Sequence, residues 1–177
     1  MKKFLKGFTL IELLIVIGIL GILVAAVMLV LNPIEAQRKS RDNQRMKDLT
    51  TLQSIMEQVN ADSLTSSLEA NTSITTTACS NNWIGLDVCK YVTKVPLDPL
   101  NKTNVKLAGA DAAASCTATS TFSDPAYYYI KYDGTSYEID IRQESTSNCE
   151  RLTNDGGNSN AFVETWTSTT HSLIADK

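Results

Sequence analysis

Side chains able to do chemistry fall into three groups in this chain. The first is a single carboxylate, Glu12, four residues after Phe8 at the edge of a long apolar run. An ionised group there is costly in lipid and calls for a partner. The second is Cys79, Cys89, Cys116 and Cys149, an even count of four lying wholly beyond the apolar run. In an exported domain that count points to disulfides, and three pairings can be drawn. Pairing between neighbours, Cys79 with Cys89 and Cys116 with Cys149, is the expectation. The third is Asn154-Asp155-Gly156-Gly157-Asn158-Ser159-Asn160, where oxygen donors alternate with glycines. Calcium takes its ligands from carboxylates, amides and carbonyls, so Asp155, Asn158 and Asn160 are its candidate ligands. A Gly-Asn turn that needs no metal is the simpler alternative, and no other cofactor is indicated. Enzymatic chemistry has little to stand on. His171 is the one histidine, which leaves a histidine triad or a multi-histidine zinc site without its parts. No phosphate-binding glycine motif is present, and no enzyme is expected.

The element that must carry Glu12 is an apolar helix. From Leu13 to Leu31 no side chain is charged or strongly polar, a run of 19 residues. As a helix it reaches roughly 28 Å, the thickness of a bilayer's hydrocarbon core. A transmembrane segment is expected over 10–31. Gly18 and Gly21 lie on one face of it, where small residues let another backbone approach. Ahead stands a basic leader, Met1 to Gly7, with Lys2, Lys3 and Lys6. An ordinary secretory signal is cut after its apolar region, whereas here the plausible cut precedes it, between Gly7 and Phe8.

The stretch Lys6-Gly7-Phe8-Thr9-Leu10-Ile11-Glu12-Leu13-Leu14 resembles the class III signal of type IV pilins and pseudopilins. The resemblance implies removal of residues 1–7 by a prepilin peptidase, methylation of the new amino group of Phe8, and retention of the apolar helix. It also implies that Glu12 of an incoming subunit neutralises the Phe8 amine of a neighbour, with an assembly ATPase and an inner-membrane platform protein driving addition. The alternative for Glu12 is local, a carboxylate favoured by the helix dipole in the first turn. The resemblance covers about the first 50 residues.

Charge gives two further constraints. Loss of the leader lysines takes the formal charge from -3 to about -6, without the basic footprint usual in nucleic-acid binders. Arg38, Lys39, Arg41, Arg45 and Lys47 follow the span, so a count of basic residues alone would put that side in the cytoplasm. Processing at Gly7, the cysteines and the family resemblance place the leader there instead.

Beyond the span, Pro33 ends the apolar run and favours a kink near Val30 to Asn32. The same residues read as a helix start: Asn32 as cap, Pro33 at the first position and Glu35 as a capping-box carboxylate. One long helix is expected from Phe8 to about Asn60, bent or interrupted near Pro33. Glu35 to Asp48 is polar on nearly all faces, reads as a solvated bridge, and includes the exposed pair Arg38 with Asp42. Met46, Leu49, Leu52, Met56 and Val59 then recur at helical spacing with Ile55 beside them, a stripe suited to packing on a sheet. Ser63 to Thr77 and Ala108 to Thr121 read as loops. Trp83, Ile84, Leu86, Val88, Tyr91 and Val92 anchor the stretch between Cys79 and Lys94. Val95-Pro96-Leu97-Asp98-Pro99-Leu100-Asn101 is turn-rich. It is similar to the Pro-x-Asp-Pro turn of major pseudopilins of type II secretion, although Leu100-Asn101 replaces the usual Trp-Gly. The segment through Trp166 likewise resembles their calcium loop.

Tyr127–Tyr132 and Ser136–Arg142 are strand-prone runs joined across Asp133-Gly134-Thr135, a hairpin signal. In the second, Tyr137, Ile139 and Ile141 alternate with Glu138, Asp140 and Arg142, which predicts one apolar and one wet face. Tyr127, Tyr128 and Tyr129 read as core rather than as an adhesive surface. Phe162–Thr167 is the third expected strand, followed by a polar tail. The fold class is therefore α+β: a long N-terminal helix whose second half packs on a small antiparallel sheet over about 126–167, within a head spanning 61–177. The function that follows is a structural subunit, anchored by one span with its N-terminus in the cytoplasm, that polymerises into a type IV pilus-like filament in the periplasm or at the cell surface. A major pseudopilin of type II secretion is the near alternative. An anchored adhesin or DNA-binding module is the alternative of another class.

Overall fold

The computed structural model describes residues 7–30, 32–62, 68–80, 87–102, 105, 107–110, 116–118, 126–157 and 159–167. The chain divides into two units, residues 1–37 and 38–177.

The first unit is dominated by helix α1, Leu10–Val30. After Glu12 in its first turn its sequence is apolar on every face, so no core-facing stripe exists. From Leu10 to Met28 the mean hydropathy is 3.0, and none of that stretch is buried. A helix of 19 such residues has the length and composition to cross a membrane. Helix α2, Pro33–Ala61, begins in this unit. Asn32 caps it: its side-chain oxygen accepts the Glu35 N–H at 3.2 Å, and its carbonyl accepts that of Ala36 at 3.1 Å. Pro33 occupies the first helical position, where a missing N–H costs nothing.

The second unit, the head, is built on an antiparallel sheet of four strands in the order β1-β4-β5-β6. These are β1 (Leu68–Ile74), β4 (Tyr128–Tyr132), β5 (Tyr137–Ile141) and β6 (Val163–Trp166). A separate two-stranded ribbon joins β2 (Ala108–Ala110) to β3 (Cys116–Ala118). A 3₁₀ turn, Thr146–Asn148, leads into the short helix α3, Cys149–Thr153. The hairpin joining β4 to β5 turns at Gly134, whose φ of 91° suits glycine. Asp133 holds the turn by accepting the N–H groups of Thr135 and Ser136.

The apolar stripe of α2 meets the sheet as its spacing predicts. Leu49, Leu52, Ile55, Met56 and Val59 form one core with Tyr128, Ile130, Tyr132, Tyr137, Ile139 and Ile141. Tyr128 is buried, while Tyr127 and Tyr129 are half-buried.

Four sequence expectations are corrected. Part of the expected loop Ser63–Thr77 is strand β1, paired antiparallel with β4 through a register irregularity between Leu68 and Thr72. Its polar residues carry no clean alternation, so only pairing with a distant strand reveals it. The expected loop Ala108–Thr121 contains β2 and β3, with Ala108 also bridged to Gln143. Glu138, Asp140 and Arg142, expected on a wet face, are all buried at 2% exposure or less. That face is covered as well: the Arg142 guanidinium lies 4.7 Å from the Phe162 ring centroid, and Phe162 meets Tyr129 edge-on at 5.9 Å. Finally, the polar stretch before the stripe is not a solvated bridge throughout, because Asp42, Arg45 and Asp48 are buried. Trp83, Ile84 and Leu86 lie outside the described residues.

Candidate functional site

Gly7, Phe8 and Thr9 precede the first turn of α1 in non-helical conformation and are exposed. The expected scissile bond therefore sits in non-helical chain shortly before a helix. Thr9 starts that helix: its carbonyl accepts the Leu13 N–H at 3.2 Å and its hydroxyl oxygen accepts the Glu12 N–H at 3.3 Å. The same hydroxyl donates to the Glu12 carboxylate at 3.3 Å. The bond from the Glu12 N–H is the cap half of a capping box, while the Glu12 carboxylate takes the cap's hydroxyl in place of its backbone N–H. Glu12 also places negative charge in the first turn, where the helix dipole favours it. Gly7, Phe8, Thr9 and Glu12 together line one shallow concavity. The residues expected from sequence to serve processing and assembly thus lie in one cluster, and Pro33 stands at the start of α2.

Cys79 and Cys89 form a disulfide with Cα atoms 4.8 Å apart, closing a loop of sequence separation 10. The Cys79 carbonyl accepts the N–H of the buried Val88 at 2.8 Å, which ties the loop to the core. The side chains of Cys116 and Cys149 lie outside the described residues.

In the Asn154–Asn160 loop, Asp155 braces the backbone. One of its oxygens accepts the Gly157 N–H at 3.1 Å and the other the Glu164 N–H at 2.8 Å. Burial pushes its pKa up against those hydrogen bonds, which lower it. Asn160 is exposed and Asn158 lies outside the described residues. Among the described residues, Glu138, Asp140 and Glu164, on β5 and β6, bring carboxylate oxygens within 4.8 Å of one another. Gly157 is pressed on this group: a Cβ there would fall 1.5 Å from a Glu164 oxygen.

Sequence reasoning missed a buried ionic network on α2. Arg45 gives a two-pronged bond to Asp98 at 2.7 and 3.0 Å and a third hydrogen bond to Asp42 at 2.8 Å. Its guanidinium also lies 2.7 Å from Glu144, which Arg41 grips from the rim at 2.8 and 2.6 Å. Asp42 further accepts the N–H groups of Glu144 and Ser145 at 2.8 and 2.9 Å and the Asn148 side-chain amide at 2.9 Å. Asp98 doubles as the brace of its own turn, accepting the Leu100 N–H at 2.8 Å. One turn further along α2, Asp48 accepts the Tyr128 hydroxyl at 2.8 Å.

The protonation states follow from these partners. Burial alone would lower the Arg45 pKa, yet the hydrogen bonds and charge of Asp98, with Glu144, raise it overall. Burial likewise pushes Glu144 up, and the hydrogen bonds and charges of Arg41 and Arg45 more than reverse that. Tyr128 is raised by burial and by Asp48, so it stays a neutral donor. The only sequence signal for this network was a basic and acidic mixture on α2 together with an aspartate inside a proline turn.

Residues 5–28 match the family model described as the prokaryotic N-terminal methylation motif, which spans the cleavage candidate, Glu12 and most of α1. Comparison with curated proteins and with solved structures finds no match. The motif marks a structural, pilin-type class of protein and not an enzyme. The chain therefore carries a type IV pilin-like class III signal ahead of an exposed apolar helix, the mark of a membrane-anchored precursor of a pilin-like or pseudopilin-like protein.

Proposed function

We propose that this protein is the structural subunit of a type IV pilus-like filament, cut between Gly7 and Phe8, methylated on Phe8 and polymerised through α1. The observation that carries the reading is α1 itself, an apolar helix of 21 residues with none of its spanning stretch buried. Such a helix needs either lipid or other copies of itself around it. Packing copies together moves it from one apolar medium to another, so burial alone supplies little driving force for extraction. An assembly ATPase acting through a membrane platform protein provides that work in this reading. Glu12 then offers the counter-charge for the Phe8 amine of an adjacent copy, and Thr9 holds it at the helix start until that amine arrives. Electron microscopy of cells expressing the protein, with and without the peptidase, tests the proposal. Filaments that depend on processing are expected; membrane-bound monomer alone in processed cells would refute it.

The second reading, a major pseudopilin of type II secretion, is favoured by the Pro96-Leu97-Asp98-Pro99 turn, whose aspartate Arg45 fixes to α2. In that reading the filaments are short and periplasmic, their loss blocks secretion, and calcium bound around Asp155, Asn158 and Asn160 raises the melting temperature. A chelator that leaves the melting temperature unchanged speaks for the pilus reading.

A further inference from the structure

Helix α2 is attached to the head in two chemically different ways. From Leu49 to Val59 the attachment is apolar, with Leu52, Met56 and Val59 fully buried against the sheet. From Arg41 to Asp48 it is mainly ionic and polar, with the partly buried Met46 as the apolar contact to the core. Asp42 and Arg45 are fully buried there, and they reach Asp98 in the proline turn and the segment from Glu144 to Asn148. Opening the first kind of contact exposes hydrocarbon to water, with nothing gained in return. Opening the second returns two guanidinium groups and several carboxylates to water, whose hydration offsets much of the lost attraction. Local openings of a folded domain are drawn from its least costly contacts.

We infer that residues 41–48 of α2 form an ionic clasp that releases from the head as a unit while residues 49–59 stay docked. The chemical trigger is protonation of the carboxylates that face the arginines. The groups involved are these: Arg41, Asp42, Arg45 and Asp48 on α2; Asp98 in the turn after Val95; Glu144 after β5; and Tyr128 on β4, bonded to Asp48. Asn148 and the Glu144 and Ser145 amides complete the shell around Asp42. Once Glu144 is neutral, Arg41 and Arg45 lose a shared anion and face one another with less compensation. The release lengthens the part of α2 not fixed to the sheet from Gln37 to about Asp48. A subunit that must fit its head into differing surroundings gains reach by it, without unfolding the core.

Amide hydrogen exchange on the full chain in detergent micelles tests the clasp, at pH 7 and at about pH 3, below the ordinary carboxylate range. After correction for intrinsic rates, protection over residues 41–48 and at the Glu144 and Ser145 amides should fall by about tenfold or more. Leu52 to Val59 and strands β4 and β5 should keep theirs. Glu144→Gln, which keeps the shape and removes the charge, should lower protection at 41–48 selectively at pH 7. Equal losses over 41–48 and 52–59, or unchanged protection at 41–48 in acid and in Glu144→Gln, would overturn the inference.

Discussion

Arg45 and Asp98 stand 53 positions apart in the chain and meet as a fully buried, two-pronged ion pair, with N–O distances of 2.7 and 3.0 Å. Removing one partner of such a pair strands the other in a low-dielectric setting, which costs about 3–5 kcal/mol. Arg45→Ala leaves Asp42, Asp98 and Glu144 without their common cation. We expect the head to lose stability on that scale in denaturant titration of the full chain in detergent. A loss within about 0.5 kcal/mol, typical of surface substitutions, would show that the pair is not buried in solution.

Stability should also fall in acid, and the sign follows from Glu144. Its pKa is held below the ordinary glutamate value by Arg41 and Arg45 against the opposing effect of burial. The unfolded chain therefore binds this proton more readily than the native one. The stabilisation is present in full above the unfolded pKa of about 4.3 and disappears as pH falls through the lower folded value. Melting temperature measured against pH should drop more steeply below about pH 4 in the native protein than in Glu144→Gln. Parallel curves would contradict the assignment.

The Cys79–Cys89 bridge closes a short loop on the core. Cross-links of that size contribute about 2–3 kcal/mol through the unfolded state. Cys79→Ser with Cys89→Ser should therefore lower the midpoint of unfolding, and the fall should match that caused by selective reduction of this bridge. A midpoint unchanged by both treatments would remove the loop from the account of stability.

Glu12 separates processing from assembly. Among the described residues its carboxylate accepts a hydrogen bond from the neighbouring Thr9 hydroxyl, and Gly7 and Phe8 on either side of the expected cut are exposed. Glu12→Ala should leave cleavage after Gly7 intact on immunoblots and abolish filaments in sheared-cell fractions. Normal filaments from that variant would end the assembly role.

Much of the fold was legible because two periods were clear. The spacing Met46, Leu49, Leu52, Met56, Val59 announced a helix face, and Tyr137, Ile139, Ile141 announced the sheet face it covers. The other face of β5 was misread because alternation records which residues are apolar, not whether a charged row has its own cover. Glu138 and Arg142 are as buried as Ile139. Arg45 was misread for a related reason. A charged residue on a charged helix looks solvated until a carboxylate 53 residues away supplies its partner. Strand β1 had neither period and is placed by its pairing with β4 and by the buried Ile74 at its end. At the N-terminus the motif itself was the signal, because order and spacing in Gly7-Phe8-Thr9-Leu10-Ile11-Glu12 are local and need no tertiary partner.

The central claim, that the apolar helix is kept after trimming and becomes the contact between copies, is tested most directly by the intact mass and N-terminal sequence of protein recovered from purified filaments. The account predicts polymer whose chains begin at Phe8 with a methylated amine and retain α1. Chains beginning at Met1 or beyond Leu31, or material that never leaves the membrane as polymer, would contradict it.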